Sequence, residues 1–293
     1  MPADWVYWLG RGNADPKLLG GKALGLDRLL RLGLPSPSGF CVTTAAYARY
    51  LDAAGLRGTI DALTSQLPAL AARERLAALS TQHPFPADLH AAVADAAAAL
   101  SGSDPSQPLA VRSSAAGEDA AAASYAGQHA TILGVTAAGL ETAIRTCWAS
   151  LWSERAVAYR LSRRLGFADA LMAVVVQPVL PAESAAVVFT KHPVTGAADQ
   201  IVINAAQGLG EAIVSGDITP HTIILDKATL AVRDLVPGDD PSWFPDPALA
   251  HHALQTLGEL AVRVEALLGA PVDLEAAYAF GQWHLLQARP ITT

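Results

Sequence analysis

Asp273 and Glu275 stand two residues apart near the end of the chain, and Gln287 and Arg289 repeat that spacing a little further on. On a β-strand side chains alternate between faces, so each pair projects to one side. The segments 272–278 and 283–288 read as strands. With a turn at Phe280-Gly281, both polar pairs can share one face while Leu274 and Leu286 point to the other. Two carboxylates with an amide oxygen form a hard-oxygen set suited to Mg²⁺, and an adjacent arginine would hold phosphate oxygens. The same residues also read as a salt-bridged sheet face, with Arg289 against the two acids. Spacing alone does not separate the two.

Other segments carry weaker chemistry. Arg112-Ser113-Ser114, with Glu118 and Asp119 behind it, reads as a loop past a strand at 109–111. It suits phosphate oxygens, or it is a turn with helix-capping serines. Ser124 to Gly127, with Thr131, can bring backbone and a hydroxyl close to a ligand. Lys22 follows two glycines, but Pro16 and Ala23 stand where a P-loop needs glycine and Ser/Thr. Gly208-Leu209-Gly210 fails as a dinucleotide fingerprint at Ile213. A glycine loop carrying a lysine can still reach a phosphate. The histidines form no catalytic set: His251 and His252 fall on a helix, His83 and His90 in helix or loop, and His284 on the strand face opposite Gln287. Each reads as surface or satisfied core. Cys41 and Cys147 are far apart without metal-ligand spacing and read as buried thiols.

These groups need elements to hold them. The chain has 293 residues, 52% hydrophobic and 16% charged, enough for one large domain or two smaller ones with a buried core. Gly20-Gly21-Lys22 opens a helix with Leu26, Leu29 and Leu30 on one face, which Gly33 ends. Residues 53–100 read as helices, 101–108 as a loop and 139–164 as one long helix. The segments 171–180 and 185–190 read as a hairpin, 201–204 as a strand and 221–225 with 230–236 as another hairpin. Asp246-Pro247 starts a helix that Gly269 stops. Helices dominate the first half and antiparallel strands the second, an α+β pattern. The net charge of −7 argues against binding nucleic acid by phosphate neutralisation. No signal peptide or bilayer-length apolar run is visible, so a cytoplasmic protein with no membrane contact is expected.

Several long segments then point to a family. They are GGKALGLDRLLRLGLPSPSGFCVTTAAY at 20–47, LAVRSSAAGEDAAAASYAGQHATIL at 109–133, and CWASLWSERAVAYR at 147–160. MAVVVQPVL, AAVVFTKHPVTG, AAQGLGEAIVSGDITPHT and VDLEAAYAFGQWHLLQARPIT follow in order. Nearly end to end, the chain resembles the N-terminal nucleotide-binding domain of the pyruvate phosphate dikinase, phosphoenolpyruvate synthase and rifampin phosphotransferase family. The resemblance implies an ATP-grasp fold, two α+β lobes with ATP in the cleft between them, here 1–170 and 171–293. It makes Lys22 and Arg112 phosphate contacts, places Gly127 and Thr131 at the loop approaching ATP, and sets Gln177 beside the adenine. Glu275 and Gln287 match the Mg²⁺ pair, Asp273 would support the metal, and Arg289 would stabilise the transferring phosphoryl group.

The implied activity splits ATP into AMP and two phosphates. The β-phosphoryl goes to a histidine on a separate swivelling domain or partner chain. The sequence departs from the family at Ala276, where an aromatic is usual, at His192 in place of asparagine, and at Thr219-Pro220-His221 in place of TPD. No swivelling domain with its histidine motif follows the QARP segment. An ATP-binding subunit of a split dikinase is therefore the expectation. The alternatives are a stand-alone ATP-grasp kinase or ligase acting on a small molecule, and a non-catalytic nucleotide-binding regulator.

Overall fold

The computed structural model describes residues 4–13, 15–66, 68–102, 104–115, 130–167, 170–210, 212–213 and 216–291. Two compact units emerge: 1–28 with 38–179, and 29–37 with 180–293. Both mix helices with antiparallel strands, so the expected α+β class holds.

The first unit is built on a five-stranded antiparallel sheet. In spatial order its strands are β1 (Val6–Trp8), β2 (Phe40–Val42), β5 (Met172–Pro178), β3 (Leu109–Ala115) and β4 (Thr131–Val135). Strand alternation sorts its side chains cleanly. Phe40, Val42, Leu109, Val111, Met172, Val174 and Val176 turn to one side and join a single core with the helices α2 (Thr44–Ala53), α3 (Leu56–Gln66), α4 (Ala69–Gln82), α5 (Ala87–Ser101) and α6 (Leu140–Ala149). Trp148 is at the centre of that core. Its ring lies 4.9 Å from Tyr47, 5.1 Å from Tyr50 and 5.3 Å from Phe85, and its indole N–H donates to Met172 O. Cys41 and Cys147 are free and buried, as expected; burial pushes the Cys147 thiol up to about 12, against the lowering charge of Lys22.

Three expectations need correction here. Residues 112–114 are not a loop: they continue β3 to Ala115, hydrogen-bonded along its length to β5. The segment 139–164 is not one helix. A 3₁₀ turn at Ser150–Trp152 divides α6 from α7 (Glu154–Ser162), which starts afresh because the Ser153 hydroxyl caps Ala156 N. The segments 171–180 and 185–190 do not pair as a hairpin. The first is β5, held between β2 and β3 in the first compact unit, which runs to Val179.

The second unit is a six-stranded antiparallel sheet. Its order is β11 (Gln282–Pro290), β10 (Val272–Ala279), β6 (Ser184–Phe189), β7 (Gln200–Gln207), β8 (His221–Asp226) and β9 (Val232–Val236). The helix α8 (Pro247–Leu268) packs on one face, started by the Asp246 side chain on Ala248 N and ended by left-handed Gly269. Trp283 donates its indole N–H to Ala253 O in this helix, within a chain of ring contacts running Trp243, Phe244, Tyr278, Trp283. Ala276 lies on this covered face, 2% exposed, so the smaller residue packs without opening the hairpin to solvent.

Candidate functional site

The sheet face opposite the first unit's core holds most of that unit's candidates. Arg112 pairs with Val175 on one side and Thr131 on the other, and Gln177 pairs with Ala110. Alternation therefore puts Arg112, Thr131, Gln177 and Ser114 on one face. Ser113 takes the other, toward the core, and is not available to a ligand there.

Across this face runs α1 (Pro16–Arg31), broken at Gly20, whose φ of 70° and ψ of 174° are not helical. Ser114 clamps the break. Its hydroxyl donates to Leu19 O at 2.8 Å and accepts from Ala23 N at 3.0 Å. A Cβ on Gly20 would come within 2.2 Å of Ser114 O, so only glycine permits this approach. Lys22 is thus fixed by backbone on a sheet that also carries Arg112. Ser114, whose hydroxyl the sequence left open to a ligand or to a helix cap, serves as the fastening. Gly127 lies outside the described residues.

In the second unit the hairpin β10–β11 pairs Asp273 with Arg289 and Glu275 with Gln287, all four on the face away from α8. Phe280 and Gly281, at φ 54° and 77°, make the two-residue turn. From that turn a regular ladder would have set Gln287 opposite Leu274. A bulge at Leu286 shifts the register between Glu275 and Ala276, and this brings Gln287 and Arg289 onto the face of the acids. The same bulge corrects the reading of His284. It pairs with Ala277 and shares the face of Gln287 rather than opposing it.

Both readings of this cluster find support. Arg289 binds Asp273 Oδ2 through Nε at 2.7 Å and through a terminal nitrogen at 2.6 Å, the salt bridge of the bland alternative. Burial raises the Asp273 carboxyl above its ordinary range, Arg289 opposes the shift, and the charge of Glu275 adds to it. Gln287 argues for a ligand. It is 9% exposed and its Oε1 has no hydrogen-bond partner among the described residues. Leaving a buried amide oxygen unmatched costs about 1–3 kcal/mol. Two carboxylates and an unmatched amide oxygen fit a hard divalent cation that draws its remaining ligands from water and phosphate.

The departures from the family pattern have local explanations. His192 Nδ1 accepts from Val194 N and Thr195 N, both at 3.2 Å, the bonds an asparagine side chain makes in such a turn. His221 is 5% exposed, with Nε2 2.8 Å from Asp240 O, and braces the loop before α8.

Residues 16–293 match the family described as pyruvate phosphate dikinase, AMP/ATP-binding domain. The chain belongs to this family. Among relatives of the dikinase-domain family, it is 37% identical over 313 residues to the prodigiosin synthesizing transferase PigC of Serratia marcescens, covering 100% of this chain and 33% of that one. It is 34% identical over 318 residues to a probable phosphoenolpyruvate synthase of Methanocaldococcus jannaschii, covering 99% and 27%. With the phosphoenolpyruvate synthase of Aeropyrum pernix the identity is 34% over 353 residues, covering 100% and 43%. The chain therefore spans less than half the length of these relatives. A solved D-alanine–D-alanine ligase from Helicobacter pylori aligns with 67% of the chain and 45% of its own, at 13% identity and a TM-score of 0.30.

Proposed function

We propose that this dikinase-family domain is of the ATP-grasp type, binds Mg-ATP and donates the β-phosphoryl group to a histidine on a separate swivelling domain or partner chain. The observation that carries this is the hairpin register, which sets Asp273, Glu275, Gln287 and Arg289 on one face with the Gln287 oxygen unmatched. Glu275, Gln287 and Asp273 would hold Mg²⁺, which when bound neutralises triphosphate charge. Arg289, half-exposed beside Asp273, is placed to hold an oxygen of the transferring group. Lys22 and Arg112 bring positive charge to the phosphates, Thr131 offers a hydroxyl, and Gln177 serves the base. Phosphoryl transfer asks mainly for positioning and charge neutralisation, and this set supplies both without a covalent nucleophile of its own. The final acceptor then belongs to the partner.

The test is nucleotide product analysis. The chain is incubated with Mg-ATP, alone and with a protein carrying the acceptor histidine. AMP formed only in the mixture, together with acid-labile phosphate on the partner, supports the reading. ADP formed with a small molecule and no partner would establish a direct kinase or ligase instead. Tight ATP binding without turnover in any mixture would leave a regulatory module.

A further inference from the structure

Only two side-chain polar atoms among the described residues of the second unit are sealed from solvent without a hydrogen-bond partner: Gln287 Oε1 and His284 Nε2. They lie on one strand and one face. His284 is opposite Ala277, two residues along β10 from Glu275, which is opposite Gln287. Both fall on the bulged hairpin. Natural folds pair nearly all such groups, and an unmatched one asks for an explanation.

We propose that His284 is a further binding residue of the magnesium-nucleotide site, its Nε2 hydrogen-bonding the nucleotide or a water on its metal. The inference rests on the nucleotide reading of that face. The imidazole is held for the task. Its ring meets the Phe280 ring edge-on, with centroids 6.4 Å apart and planes at 86°. His284 keeps the regular register from the turn, and the bulge at Leu286 brings Gln287 round to its side, while the neighbouring Leu285 and Trp283 stay in the core under α8. An aromatic hydrocarbon would keep that packing and avoid the unmatched nitrogen. The nitrogen is therefore a cost to the free protein that a ligand recovers.

That cost gives the experiment its signature. His284→Phe keeps the ring and deletes the nitrogen, while His284→Gln returns a polar nitrogen at similar reach. Thermal unfolding of the free protein and calorimetric Mg-ATP titration are run on wild type and both variants. His284→Phe should unfold at the same or a higher temperature than wild type yet bind Mg-ATP about tenfold more weakly, the loss of one net hydrogen bond. His284→Gln should recover most of the affinity. If His284→Phe binds as wild type does, the inference is overturned. It is equally overturned if the free variant is several degrees less stable and His284→Gln restores nothing, because the role is then structural. Failure of the wild-type chain to bind Mg-ATP would instead sink the reading of the whole face.

Discussion

At the scale of single residues, the chemical role proposed for Arg289 meets a structural one. Its guanidinium holds Asp273, whose carboxyl is otherwise disfavoured as an anion by burial. Arg289→Ala should leave Mg-ATP affinity within about tenfold of wild type but lower phosphoryl transfer by about 10³, the scale of a lost transition-state arginine. Rapid-quench measurement of AMP formation checks this, and transfer at a near-normal rate would remove Arg289 from the chemistry. How far these residues were legible follows from strand parity. Asp273 with Glu275, and Gln287 with Arg289, each show their common side by spacing alone. That the two pairs share a side depends on the bulge at Leu286, for which the sequence has no glycine or proline to serve as a marker. His284 was misplaced for that reason. A one-residue shift reverses every inward and outward assignment beyond it.

Elements show the same division between local and distant signals. The helix α8 was readable at both ends because Asp246 and Gly269 act through bonds within a few residues. The break in α1 was not, because its cause is Ser114, more than ninety positions away. Gly20→Ala tests that fastening. The added methyl would meet Ser114 backbone at 2.2 Å on a residue with φ of 70°, so a loss of about 2–4 kcal/mol is expected. Denaturant unfolding would measure it, and Mg-ATP affinity should fall with it because Lys22 is displaced. The turn between β8 and β9 offers a pH test. Asp226 is held at about 2, below its ordinary 3.8, chiefly by the backbone N–H of Thr229 and then by Arg233. A lowered carboxylate stabilises the fold above its unfolded pKa, and that contribution disappears as pH falls through the folded value. The stability difference between wild type and Asp226→Asn should thus be constant near neutrality and close between about pH 4 and 2. A difference that persists at pH 2 would assign the effect to something other than the charge.

On the scale of the whole molecule, the second unit is not continuous in sequence. Residues 29–37 belong to it, although the rest begins at 180. Their role is visible at the β11 edge, where Leu285 N donates to Pro35 O at 2.7 Å and the Ser36 hydroxyl donates to Leu285 O at 2.8 Å. An open strand edge invites pairing with another chain, and here the intruding segment occupies part of it. The fragment 180–293 expressed alone would expose that edge directly beside Gln287 and Arg289. It should therefore self-associate or aggregate and show no Mg-ATP binding, while co-expression with 1–179 restores both a discrete complex and binding. Light scattering coupled to size-exclusion chromatography, followed by calorimetry, reads both outcomes. A monomeric, cooperatively unfolding fragment that binds Mg-ATP by itself would show that the 29–37 segment is dispensable. The hairpin face would then be set by β10, β11 and the bulge alone. The expected result instead ties the proposed nucleotide site to residues 35 and 36, whose hydrogen bonds to Leu285 brace the outer strand carrying His284, Gln287 and Arg289.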